Sequence, residues 1–371
     1  MSDEISLTTL YDALYGNSKK CLVWDSLWNN RPIGRLALAV HPNAQRIDRI
    51  REQVDIKLNE VVNKPDSWTP EWDEAIVCQL HSFLAASEIK SDLFPALAVP
   101  RDTHSESQGI ADIFGARVEL QDIGHTYVHP LPPDPAFIDA IVLKPIETSR
   151  YYGAVEWIRY ARVTTGGIEC RFPVMTGPID TANYLLGTTT LLEWVYTQPE
   201  TLHRLLEKIT AVIIKMVSAI KEAAGGIVHS HHFVCTRGGF DFCSEVRSLI
   251  SLETYEEFEA PYLRKIGETL GTYGIHSCGN WERTIPSAIS DPNLRVMNGQ
   301  IKENDLESLC KLADGKITLS IGPSVCVHDR FMWENMESFY KHIKTTVPVT
   351  QPFELSISED DLSNGQFTID N

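Results

Sequence analysis

YGIHSC, residues 273–278, decides how the rest of the chain is read. It is short and largely apolar, reads as a β-strand, and runs straight into Gly279, where the chain is free to turn sharply. Upstream lies a predicted helix from Leu252 to about Thr272, led by Ser251 and two acidic residues. Before it, GIVHSHHFV reads as another strand. Further back, PETLHRLLEKITAVIIKMVSAIKEAAGG opens with Pro199, carries apolar residues at helical spacing and stops at Gly225-Gly226. Downstream come a short helix near Glu282 to Ile289, the strand LRVMNGQ, a helix from Asp305 and the strand KITLSIG. A helix from about Phe331 to Ile343 and the strand TQPFELS follow. Strands and helices alternating in one continuous run predict an α/β chain folded as a TIM-like (β/α)8 barrel. An open nucleotide-binding sheet is disfavoured, because neither G-x-G-x-x-G nor a P-loop is present.

In such a barrel the chemistry sits where strands end. The strand ends carry His231 and His232, His276 and Cys278, Asn298-Gly299-Gln300, Gly322 and Glu354. Residues i and i+2 of a strand share a face, so His276 and Cys278 would aim together into the barrel, and imidazole with thiolate is a donor pair that zinc favours. The same pair also reads as an ordinary buried histidine and thiol. A further donor is needed, and Glu354 and Cys326 are the best placed. HSHHFVC is dense in donors, but alternation sets His229 and His231 on one face and His232 on the other. Packing under the rim or contact with substrate therefore suits these histidines better than one shared metal. Glu245, in DFCSEVRSLIS, reads as a general acid/base, a ligand or a helix-start carboxylate. Asp180, in TGPIDTANYL, reads as an N-cap or a substrate contact, with the cap favoured.

The 371 residues carry 43% hydrophobic and 22% charged side chains, an ordinary globular balance. A net charge of −17 with no basic run disfavours nucleic acid and anionic membranes, leaving small molecules or a protein as partners. No apolar run approaches the roughly 20 residues that span a bilayer. The acidic N-terminus lacks the features of a secretion signal, so a cytoplasmic location is expected, with the eight scattered cysteines as thiols. Residues 1–90 are expected to form an N-terminal helical cap over a barrel spanning 91–371.

From about residue 90 the chain resembles the uroporphyrinogen decarboxylase superfamily, including its zinc-dependent, cobamide-linked methyltransferase branch. The resemblance runs through SDLFPALAV, IADIFGA, TGPIDTANYLLG and QPETLHRLLEKIT. It is most specific at S-x-x-x-[YF]-x-x-F-x-x-P-Y (Ser251, Tyr255, Phe258, Pro261, Tyr262) and at His276-x-Cys278-Gly279. It implies a TIM-like barrel, as the strand pattern does. Decarboxylases of this family grip their substrate's carboxylates with an RQAGRY-type motif; here VWDSLWNNRPIGRLALAV offers only Arg31 and Arg35. Porphyrinogen decarboxylation is accordingly the second expectation, and a non-catalytic corrinoid- or tetrapyrrole-binding protein the third. The related methyltransferases hold zinc with H-x-C and a later Cys, where this chain has Glu354; Cys326 arrives a strand too early. A His/Cys/Glu set carries less thiolate charge than a two-thiolate set, which suits an O-methyl donor such as an aryl methyl ether. The resemblance thus implies zinc on His276, Cys278 and Glu354 or Cys326, with Glu245, His231 or His232 handling protons. It also implies a corrinoid protein as partner, its cobamide contacting Asn298, Gln300 and Asp180. Whether the chain forms a homodimer is left open by the sequence.

Overall fold

Six strands lie side by side and all parallel, in the order Ala37–His41, Phe353–Ser358, Thr318–Gly322, Leu294–Gln300, Tyr273–Ser277 and Phe240–Cys243. The computed structural model that shows them describes residues 3–100, 106–120, 126–322 and 336–363. Two irregular segments close the sheet on itself. Thr176 bridges Cys243, Cys170 bridges Leu97, and the Asp92 amide donates to the Leu38 carbonyl. The ring therefore has eight staves, the expected barrel with helices packed around it. Outward side chains such as Leu38, Val40, Ile275, Leu319 and Leu355 join one continuous core with those helices.

The long helix is Pro199–Ala223, with Pro199 in its first turn and Leu202, Leu206, Ile209, Ile213, Val217 and Ile220 buried. Gly225 and Gly226 end it at φ of 76° and 98°, conformations that cost a side-chained residue dearly. The helix expected over 252–272 is two helices, Leu252–Phe258 and Ala260–Leu270, broken at Glu259. Pro261 causes the break, since it lacks an amide donor and disfavours helical backbone at the residue before it.

Two expectations need correction. GIVHSHHFV is not a regular strand: only His229 bridges, to Arg171, and the chain bends through residues 231–232 before entering the ring at Phe240. The buried Arg171 guanidinium donates to the Ser230, Phe233 and Phe94 carbonyls, which removes them from any ladder. The boundary at residue 90 also fails, because Ala37–His41 is itself a stave paired with Phe353–Ser358. Nor does the preceding helix, Ser18–Trp28, cover the mouth. Trp28 donates to Thr272 Oγ1 at 3.0 Å and the Asn30 side chain accepts from the Thr318 amide at 3.1 Å, both where strands begin. This helix plugs the end opposite the strand tips. Among the described residues no helix is long and apolar enough to cross a membrane.

Candidate metal centre

The strand Tyr273–Ser277 pairs with Phe240–Cys243 so that His276 stands beside Cys243, and Glu245 follows two residues later. This register gathers Glu245, His276 and Cys278, whose candidate donor atoms all lie within 4.8 Å of one another. His276 Nε2 is 3.3 Å from Cys278 Sγ and 3.4 Å from Glu245 Oε1. The other carboxylate oxygen accepts from the Cys278 amide at 2.7 Å.

The turn carrying Glu245 is held from three sides. Asp180 accepts from the Glu245 amide at 2.6 Å and from the Val246 amide at 2.8 Å. Ser244 donates to the fully buried Glu259, the residue at the break between the two helices. Arg247, also fully buried, sits over the Tyr255 ring at 4.6 Å. Ser251 N-caps the first of those helices by accepting from the Thr254 amide, so the family-like motif at 251–262 builds the wall that positions Glu245. Gly279 contributes by closeness and not by a sharp turn: its φ is not in the left-handed region, and a Cβ there would stand 2.7 Å from Ser248 Oγ.

Behind the donors lies a hydrogen-bonded relay. With Nε2 facing the cluster, His276 Nδ1 donates to Asn298 Oδ1. Asn298 Nδ2 donates to Ser320 Oγ at 2.8 Å and to the Ser320 carbonyl at 3.0 Å, and Ser320 Oγ donates to Glu354 at 2.7 Å. On the other side the His232 ring stacks on His276 with centroids 4.1 Å apart and planes 5° from parallel. His232 Nδ1 bonds Asp241, whose carboxylate also accepts from the His231 amide at 2.6 Å and the His232 amide at 3.3 Å. Burial and the neighbouring His232 charge push the His276 imidazole down to about 3, so it is neutral at ordinary pH, as a ligand must be. Loss of solvent raises the Glu245 carboxyl. Asp241 is buried, which opposes ionisation, yet the charge and hydrogen bond of His232 outweigh this and hold it at about 2.

The structure brings Glu245, not Glu354, beside His276 and Cys278. Glu354 accepts from the Val234 amide at 3.1 Å, the Cys235 amide at 2.9 Å and Ser320, and so anchors the far end of the relay. Cys326 lies outside the described residues. Asn298 supports His276 from behind, and Gln300 is buried at the end of its strand. Asp180 does cap, but it caps the turn after Cys243, whereas Gly177 holds the N-cap position of its own helix Pro178–Leu186. Because the chain bends after Ser230, His231 and His232 both gather at Asp241, which the strand-like reading of that segment missed. The missed signal was GGFDFC, a Gly-Gly break followed by alternation around one acidic residue.

The donor set fits zinc: one imidazole, one thiol and one carboxylate leave a tetrahedral ion one open position, as catalytic zinc sites do. The outer hydrogen bond from His276 Nδ1 is the kind that fixes a ligating histidine's tautomer.

Comparison with known proteins agrees with this architecture. Residues 105–303 match the family described as Uroporphyrinogen decarboxylase (URO-D), more than half of the chain. A methylated-thiol–coenzyme M methyltransferase of Methanosarcina mazei is 27% identical over 141 residues, 38% of this chain and 36% of that protein. The match thus spans about a third of that relative's length. A solved structure titled as a methyltransferase from Methanosarcina mazei superposes with a TM-score of 0.61 over 95% of this chain and 92% of that one. At 14% identity the likeness is one of fold.

Proposed function

The chain belongs to the uroporphyrinogen decarboxylase family, and from that premise we propose that it is a zinc-dependent methyltransferase passing a methyl group from a small methylated donor to a corrinoid protein. The observation that carries this reading is the convergence of Glu245, His276 and Cys278 at the strand tips. Zinc held there would supply a Lewis acid that polarises the donor's heteroatom and stabilises the charge left on it. His276 presents Nε2 while Asn298 keeps the proton on Nδ1. The Glu245 carboxylate would offer one oxygen to the ion while the Cys278 amide orients the other. His232, stacked on His276 and paired with Asp241, is placed to hold a proton for the departing heteroatom. With a carboxylate in place of a second thiolate the set favours an oxygen donor, so an aryl methyl ether is the substrate class of choice. Asn298, Gln300 and Asp180 serve as scaffold in this reading, and the corrinoid meets the open mouth.

Decarboxylation of a polycarboxylate tetrapyrrole is disfavoured by the placement of the expected arginine. Arg35 forks onto Asp92 at 2.6 and 2.8 Å, beside the start of the strand Ala37–His41 and away from the strand tips. A methylated thiol is the second donor class, favoured by the name of the relative that is 27% identical. The test is purified protein assayed for zinc and mixed with reduced cobalamin and either an aryl methyl ether or a methylated thiol. Methylcobalamin is expected to accumulate, and zinc to be lost in Cys278→Ser. Less than about 0.2 zinc per chain, or no transfer from either donor, would overturn the reading.

A further inference from the structure

The geometry points to His41 and Ser356 as the pair that recognises the far end of the methyl donor, and to a hydroxyl group as what they recognise. This inference rests on the methyl-transfer reading and adds a substrate class to it. Both residues face the lumen. Leu38 and Val40 on one strand, and Phe353, Leu355 and Ile357 on the other, turn outward into the core shared with the helices. Alternation therefore turns Ala37, Ala39 and His41, and likewise Glu354 and Ser356, inward. Ala37 and Ala39 accordingly pack with Leu27 of the plugging helix and with Cys235.

The register sets their height. His276 stands beside Asn298, Asn298 beside Ser320, Ser320 beside Glu354 and Glu354 beside Ala37. Because barrel strands tilt, such a row of partners drops towards the strand starts, by about eight residues in a full circuit and so by about four in the half circuit from Tyr273–Ser277 to Ala37–His41. The residue about four places beyond Ala37 is His41, which thus stands level with His276 on the opposite wall, with Ser356 on the neighbouring stave. The interior of an eight-stranded barrel has room for one small ligand, so an aryl ring whose methoxyl oxygen reaches the metal donors ends at His41 and Ser356.

The pair is held in place and carries no charge. His41 Nε2 and Ser356 Oγ are 2.8 Å apart, and His41 Nδ1 has no hydrogen-bond partner among the described residues. Just beyond them the two loops are tied together: the Asn43 amide donates to Glu359 and Asn43 Nδ2 to Asp360, both at 3.0 Å, and Arg46 Nε donates to Glu359 at 2.9 Å. Burial and the charge of Arg171 push the His41 imidazole down, so it is neutral, while the Arg171 guanidinium is itself engaged by three backbone carbonyls. Together an uncharged imidazole and a hydroxyl both give and take hydrogen bonds, which complements a phenolic hydroxyl, whereas a carboxylate would call for a cation.

Calorimetric titration of the full-length protein supplied with zinc, using 4-methoxyphenol, anisole and 4-methoxybenzoate, tests the pair without requiring turnover. 4-Methoxyphenol should bind at one site per chain at least about tenfold more tightly than anisole, and 4-methoxybenzoate no more tightly than anisole. His41→Ala and Ser356→Ala should each bring 4-methoxyphenol to within about threefold of anisole with zinc content at the wild-type level, and Ser356→Thr, which keeps the hydroxyl, should retain the preference. No binding of 4-methoxyphenol at about 10 mM, equal binding of anisole, a preference for 4-methoxybenzoate, a hydroxyl preference that survives both alanine variants, or loss of zinc alongside it would overturn the assignment. A hydroxyl preference that depends on the pair, with no methyl passed to reduced cobalamin, would overturn the methyl-transfer reading alone.

Discussion

His276 shows how one side chain is prepared by its neighbours. Its ring is fixed on one edge by Asn298 and on one face by His232, and burial keeps it neutral. Asn298→Ala removes the acceptor for Nδ1 and should weaken zinc binding by roughly 10- to 100-fold, read by competition with a chromogenic chelator, with little change in folding. Asp241 supports a pH prediction. Its folded carboxyl titrates at about 2, below the ordinary 3.8, because the His232 interaction outweighs burial. A depressed acid contributes stability that is complete above its unfolded value and fades as pH falls towards its folded one. Asp241→Asn should therefore cost about 2 kcal/mol in urea unfolding at pH 7, and the gap between variant and wild type should close on the way from pH 4 to pH 2.

Among the elements, the turn from Ser244 to Ser248 matters most, because it brings Glu245 to its neighbours. Gly279 lets that turn approach, so Gly279→Ala should force Ser248 away, cost about 1–3 kcal/mol by thermal unfolding and weaken zinc binding. A normal zinc affinity in that variant would show that the turn is not held by closeness. The alternation of helices and strands after Pro199 was legible because hydrophobic periodicity is a local property of the sequence. His276 and Cys278 were legible for the same reason, sharing one strand end. Glu245 as their companion was not, since it depends on which residue of Phe240–Cys243 stands beside His276, a register set by packing. Glu354 and Glu245 look alike as sequence, and their partners tell them apart: the Val234 and Cys235 amides and Ser320 hold the one, the Cys278 amide the other. The stave Ala37–His41 was illegible because its partner, Phe353–Ser358, lies near the opposite end of the described chain.

For the molecule as a whole, the two ends of the barrel do different work. At the strand starts, Trp28 packs on Gly238 and Gly239, at φ of 134° and 70°, where a Cβ on Gly238 would come within 2.8 Å of the indole. Trp28 is 5% exposed, so Trp28→Ala should cost about 3–5 kcal/mol in chemical unfolding. Zinc affinity should stay near the wild-type value, because the plug and the donors sit at opposite ends; a parallel loss of both would mean the ends are coupled. The three donors come from two neighbouring staves and the loops that leave them, and among the described residues the other six staves give the ion no donor. An ion seated there is a clasp on a single seam of the cylinder. Taking it away should let that seam breathe and exchange its amide hydrogens, while the wall on the far side, around Ala37–His41, keeps its own pace.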